Sequence, residues 1–476
     1  MRIEGPFVAF LLAVLLLKLA LLVLDPSAKF FFGDSWCYLE TAAYGWIPPD
    51  RSFTYGFFIR ATTWLSQSLW PLMLCQMLAS ILSAALAGQI LRRHLRVRPA
   101  IAYFLGCLCA LEPIQLLYER YVMTETLSLA FFSLHLVAIL RYLKERNLLI
   151  LLLAHLLGTA LISLRISFLP VTMANTVLAP ILAFSIRAGH QVLSPEVRQT
   201  LRGDPVRRPV WILPCSVHLI VSIGMTLALH AGYKGLFSAV SGNPPGYNAA
   251  SGYFLLAVWS PVVEPDDFPD PYLRAKLFEG LPFDTKDRAL RNHQLFEYGG
   301  LVDRIRNALP GPEGNLAAQA TAVNALKRDP LGIVVLWLQT MGDYFRPSVL
   351  MEKIRDDLAV GQVSWYQRFL EVHGERYSIP RTETQPWTLT KWYYENAVPW
   401  YWLLLLSPAL TAWALACARG HATAAALVLW VSLCACVVVA TALAVYPIVR
   451  YLHPVAWLTL CLIGPLVERT LARRSL

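Results

Sequence analysis

Apolar runs of roughly 17 to 24 residues recur along this chain, the length a helix needs to cross a hydrocarbon layer about 30 Å thick at about 1.5 Å per residue. They predict spans at 7–24, 69–91, 100–117, 122–142, 148–164, 167–186, 210–229, 398–417, 422–445 and 451–467. The expected fold class is therefore an all-α polytopic membrane protein of about ten transmembrane helices, within a range of about 10–12. The first run ends in Leu24-Asp25-Pro26 rather than at a small-residue cleavage site, which predicts an uncleaved first helix. The apolar stretch 331–344 is shorter, follows Lys327-Arg328-Asp329-Pro330 and includes Asp343, a pattern expected of an interfacial helix.

Composition agrees: of 476 residues, 56% are hydrophobic and 15% charged, too little charge for an ordinary soluble enzyme. The net charge of +10 does not point to nucleic acid, because the basic residues gather in short segments between spans, at 92–98, 141–146, 187–208, Arg419 and 469–474. All fall on one side if the N-terminus is cytoplasmic, as the positive-inside rule requires. Both termini are then expected inside. The chain divides into a seven-helix module at 1–229 that includes a first outer loop at 25–68, an extracytoplasmic cap at 230–397, and a three-helix region at 398–476. Short amphipathic stretches at 35–44 and 53–69 suggest helices lying on the membrane surface. All nine cysteines but Cys37 lie in spans or at their ends, and no disulfide framework or zinc site follows.

Charge beside a membrane helix is costly, so its placement is informative. Asp34 follows the first span with Tyr38 close behind; Glu119, Arg120 and Glu125 flank the start of the fourth; Arg165, Lys234 and Arg450 sit at other outer ends. Mixed carboxylates and cations at one membrane level suit glycosyl transfer from a lipid phosphate: a carboxylate takes the acceptor's proton, and cations hold the leaving phosphate. Plainer roles are open to each residue. Asp34 suits an N-cap, Glu125 a first-turn acid facing the helix dipole, Arg120 a local pair with Glu119, and Arg165 and Arg450 contacts with lipid headgroups. Lys18, Glu112, His135, His155 and His218, inside spans, are read as helix-packing groups. The chain contains no P-loop, Rossmann fingerprint, His-Glu-x-x-His or nucleophile elbow. With no inner segment of domain size, the donor is expected in the membrane.

Four segments resemble the GT-C superfamily of membrane glycosyltransferases, in particular the bacterial relatives of the protein mannosyltransferases and aminoarabinose transferases. They are Gly33-Asp34-Ser35-x-x-Tyr38, Tyr118-x-Arg120-x-x-Met123-Thr124-Glu125, Arg450-Tyr451-x-x-Pro454 and Arg328-Asp329-Pro330. The resemblance implies inverting transfer of a sugar from a polyprenyl-phosphate donor to an envelope glycan, lipid or protein at the extracytoplasmic face. Asp34 would be the base, and Glu125, Arg165 and Arg450 would line the cavity. Where many members carry two adjacent acids, Asp34 is followed by Ser35, a departure that bears on any metal requirement. A divalent cation is compatible with the site, but the sequence requires none, and it names no other cofactor. The competing reading is a transporter or flippase of a lipid-linked or small solute; the dissimilar halves and the charges near the outer ends speak against it.

Overall fold

The computed structural model describes residues 5–192, 212–278, 285–418 and 421–474. Beyond the helical backbone to Val192, the basic segment predicted at 187–208 lies outside them, as does Arg419. The described residues are helical, apart from loops and one isolated bridge between Lys29 and Tyr121.

Among the described residues, eight helices are long and apolar enough to cross a membrane: Gly5–Leu24, Trp70–His94, Glu125–Glu145, Ile166–Ser185, Ile212–Ser241, Val398–Cys417, His421–Ala442 and Val449–Ala472. Two shorter apolar helices, Pro99–Leu111 and Leu148–Leu164, occupy the remaining predicted positions. Their outward faces stay bare: Leu16 is 66% exposed, Leu213 75% and Leu227 67%. Such surfaces are stable in lipid rather than water, so this is a multi-pass membrane protein.

Two predicted spans differ from the structure in instructive ways. The run at 100–117 breaks at Glu112, which is extended because the ring of Pro113 disfavours the helical conformation before it. Glu112 then caps the short helix Pro113–Tyr118, accepting from the backbone N–H of Gln115 at 2.5 Å and of Ile114 at 3.0 Å. The run at 210–229 continues to Ser241, so Lys234 lies within a helix instead of beyond one.

Successive bundle helices run in opposite directions and sort their ends. At one end Arg98 meets Glu468 at 2.5 Å, Arg146 covers the Phe184 ring at 4.7 Å and Arg469 reaches the carbonyl of Ala416 at 3.4 Å. The opposite end gathers the end of the first helix, the start of Glu125–Glu145, the turn at Arg165 and the start of the last helix.

The segment 25–68 folds onto that second end. Its helices Phe32–Tyr44 and Phe53–Thr63 pack on each other and bury Tyr38, Tyr55 and Ile59. The hairpin is pinned by Arg60 Nε, which donates to the carbonyl of Ala42 at 2.7 Å, and by Tyr55, whose hydroxyl donates to Gln76 Oε1 at 2.5 Å.

The described residues of 242–328 form a helical cap with its own core, in which Ser251–Trp259 packs on Pro312–Arg328, while Tyr344, Leu350, Ile354, Phe369 and Tyr394 further along join the main core of the bundle. Arg328 holds Asp267 at 2.9 Å, and Asp329 caps the helix Pro330–Asp343 by accepting from Gly332 N–H at 2.7 Å, so Arg328-Asp329-Pro330 is a helix junction. One face of Pro330–Asp343 docks on the bundle through Trp337, whose Nε1 donates to Thr441 at 2.7 Å. Leu331, Val335 and Leu338 on it are exposed, the face an interfacial helix turns to lipid.

Gly56 sets how closely the two short helices approach. A Cβ there would overlap the Thr41 side chain and stand 3.2 Å from the carbonyl of Tyr38. Gly56→Ala should cost about 1–3 kcal/mol by overpacking, seen as a lowered melting temperature in detergent and as loosening of the segment that carries Asp34. An unchanged melting temperature would show that the helices separate freely.

Candidate functional site

Asp34 sits in the first turn of Phe32–Tyr44, not at its N-cap, which is Phe31. Its carboxylate faces two arginines: Oδ1 pairs with Arg51, and Oδ2 accepts from Arg450 Nη1 at 2.7 Å. The side chain is largely buried, which by itself would raise its pKa; Arg51 and then Arg450 overcome this and hold it down at about 2. Asp34 thus rests as a fully ionised, doubly paired carboxylate.

The cluster extends through Arg450, whose Nε lies 3.9 Å from Glu125 Oε1, while Arg165 Nη1 approaches the same oxygen at 3.2 Å. Aromatic rings support the guanidiniums: Arg450 lies 4.5 Å over Phe31 and Arg165 4.6 Å over Tyr451. Arg165 and Tyr451 also line a crevice of about 10 Å³ with Pro454, space for a single water. Tyr38 stands one turn beyond Asp34, buried, with its hydroxyl on Thr124 and its ring 4.9 Å from that of Tyr55. Burial first, and then the charge of Asp34, keep it a neutral phenol.

Arg51 completes the site and was not anticipated from the sequence. It follows Pro48-Pro49-Asp50, holds Asp50 at 2.8 Å with Nη1 and reaches Asp34 with Nη2. Three arginines, Arg51, Arg165 and Arg450, therefore stand against three acids, Asp34, Asp50 and Glu125. The Nε groups of Arg51 and Arg450 are nonetheless buried without a hydrogen-bond partner. A buried charged donor left unpaired is costly, and such groups mark where another acceptor belongs.

Other predicted residues go elsewhere. Arg120 pairs with its neighbour Glu119 and donates from Nε to the carbonyl of Asp25 at 3.0 Å. Glu119 also takes Lys18 Nζ at 2.6 Å, so Arg120, Glu119 and Lys18 form a buried tie between the first helix and residues 119–120. Beside it Lys29 grips Asp25 at 2.6 and 2.7 Å. Lys234 lies 4.7 Å over the Tyr247 ring, a partner outside the arginine cluster. Of the helix-packing groups, His135 sits on the carbonyl of Ala154 at 2.8 Å and His155 on Ser222 at 2.9 Å. Among the described residues no three His, Cys, Asp or Glu side chains group as metal ligands.

Asp357, at the end of Pro347–Asp357, is a second unforeseen acid. It is 3% exposed and accepts from the Tyr394 hydroxyl at 3.0 Å, within the electrostatic reach of Arg450 and Glu125. Burial raises its pKa to about 7, against the opposing pull of Arg450 and Tyr394. In sequence, Asp356-Asp357 reads as a solvated helix end. Comparison with protein-family models, curated proteins and solved structures returns no match for this chain.

The raised Asp357 pKa has a signed consequence. The folded protein retains this proton from about pH 4 to about 7 while the unfolded chain has lost it, so stability falls as pH rises through that window and levels off above it. Asp357→Asn removes the penalty. The variant should gain melting temperature over wild type at pH 8 but not at pH 4, with a difference on the order of 1 kcal/mol or more. Parallel pH profiles for the two proteins would show that Asp357 is solvated.

Proposed function

We propose that the chain transfers a sugar from a polyprenyl-phosphate donor to an acceptor hydroxyl, with Asp34 as general base. The observation that carries this reading is the pair of arginines on Asp34, Arg450 buried and Arg51 partly so, whose buried Nε atoms make no hydrogen bond. Guanidinium forks match phosphate oxygens, and these two arginines, with Arg165 beside them, are neutralised at rest by carboxylates they can exchange for a phosphate. The donor's phosphate takes Arg51 and Arg450; Asp34, freed of two cations, becomes a stronger base.

The acceptor's O–H proton then passes to the Asp34 carboxylate as its oxygen attacks the anomeric carbon. The bond from that carbon to the phosphate oxygen breaks with inversion, and polyprenyl phosphate leaves with the electron pair. The arginines stabilise its added negative charge. The likeness of the segments around Asp34, Glu125 and Arg450 to GT-C enzymes supports this, as does the site's place at the bundle end opposite Arg98, Arg146 and Arg469. By the positive-inside rule that end is extracytoplasmic, which we assign to a bacterial inner membrane with both termini inside.

The test is release of polyprenyl phosphate from radiolabelled polyprenyl-phosphate sugars by protein in nanodiscs, supplied with envelope extract as the acceptor source. Asp34→Asn should be about a hundredfold or more slower, the scale of general-base catalysis, and Arg450→Lys should raise KM for the donor. Full activity in Asp34→Asn with loss in Asp357→Asn would move the base to Asp357. Movement of an intact lipid-linked sugar across the bilayer, without cleavage, would replace transfer by transport.

A further inference from the structure

A cavity of about 280 Å³ lies beside the arginine cluster, between the turn at 358–363 and the segment 384–391. Phe32, Tyr366 and Trp387 provide aromatic walls, Gln362 and Thr384 polar ones, and Lys391 lines it as well. The volume is near the lower end of the roughly 300–1,000 Å³ of small-molecule pockets and suits a compound of one or two rings. The wall is fixed by Gln385, whose side-chain amide exchanges two hydrogen bonds with the backbone of Phe30 at 2.8 and 2.9 Å. The turn contains Ala359 with φ +56° and Gly361 with φ +80°; for alanine this left-handed conformation costs roughly 1–2 kcal/mol, a local strain often found at binding sites.

Lys391 is the notable group. It is 2% exposed, yet makes no ion pair among the described residues and donates only to the carbonyl of Leu358 at 3.3 Å. The nearby Asp25 carboxylate, whose charge it feels, is already occupied by Lys29 and by the Thr390 hydroxyl at 2.5 Å. An ammonium has three donors and is costly to bury uncompensated. An aromatic-walled cavity with one uncommitted buried cation and several polar groups is complementary to a ring that carries an anion.

We propose that this cavity binds a sugar acid or sugar phosphate, free or as a lipid headgroup, with its anion on Lys391 and its ring against Trp387 and Tyr366. The segment that forms its wall also carries Asp357 toward the arginine cluster, and Phe32 lines it two residues before Asp34. On the transfer reading, which this part alone rests on, the occupant is the acceptor.

Binding is measured by calorimetry on the full chain in phosphatidylcholine nanodiscs, with galacturonate and glucose 1-phosphate as probes and glucose and inorganic phosphate as controls. The anionic sugars should bind saturably and more tightly than either control. Lys391→Met should weaken them by about tenfold or more, the size of one charge-assisted hydrogen bond, and Lys391→Arg should restore part of the loss. Trp387→Ala, at the exposed rim and without consequence for folding, should weaken the sugar probes more than inorganic phosphate. If nanodiscs containing phosphatidylglycerol block the probes in wild type, the occupant is a lipid headgroup; if they do not, it is a free ligand. The proposal is overturned by absence of saturable binding, or by equal affinity in wild type, Lys391→Met and Trp387→Ala. No step of this assay needs turnover: donor cleavage with no probe binding would discard the cavity and keep transfer, and binding without donor cleavage would do the reverse.

Discussion

The pairing of Asp34 with Arg450 joins residues 416 positions apart, and the site depends on it. A charge buried next to lipid survives only with a partner, so the carboxylate of the first short helix and the guanidinium at the start of the last bundle helix must find each other. Arg51 shares the same carboxylate, and Arg450 leads on to Glu125 and Arg165. Four otherwise separate segments thereby acquire one register. In the proposed transfer, each arginine exchanges its carboxylate for the donor's phosphate.

A second buried network carries the mechanical load beside it. Lys18 and Arg120 converge on Glu119, Lys29 on Asp25, and the backbone of Lys29 accepts from Val122 N–H at 2.9 Å. These contacts fix the end of the first helix against the segment leading into Glu125–Glu145. Arg120, which in sequence has the same standing as Arg165 and Arg450, belongs here because its Nη1 is held by its neighbour Glu119 and its Nε by the Asp25 carbonyl, leaving Nη2 without a hydrogen bond. Two arginines of similar sequence surroundings thus differ in role because of which acceptors the fold brings to them.

The segment that follows the cap adds what the bundle lacks. Its turn after Asp357 closes over the first short helix and creates the cavity bordered by Phe32 and Lys391. Asp34 and Asp357, though close enough to share the field of Arg450, are shifted in opposite directions: one is held ionised by two arginines, the other is raised by burial to about 7. Two carboxyl groups whose environments drive their pKa values apart are equipped for different proton-transfer roles.

The sequence by itself determined the bundle. Apolar run lengths placed the eight long apolar helices and the two shorter ones among the described residues, and basic residues marked one end, because the hydrocarbon thickness and the cost of charge in lipid act on each segment separately. Glu112-Pro113 was the local exception, a break that the proline already contained and that the apolar run around it masked. The prominence of Asp34, Glu125, Arg165 and Arg450 was also legible, since charge at a span's end needs a reason. Tertiary structure alone decided their partners. Arg51 and Asp357 lie in polar segments where a charge needs no explanation, and Lys391 sits in a helix whose first residue, Leu389, is exposed. Only folding brings Arg51 against Asp34 and buries Asp357 and Lys391, and burial is what turns an ordinary charged residue into one that must be paired, protonated or supplied with a ligand.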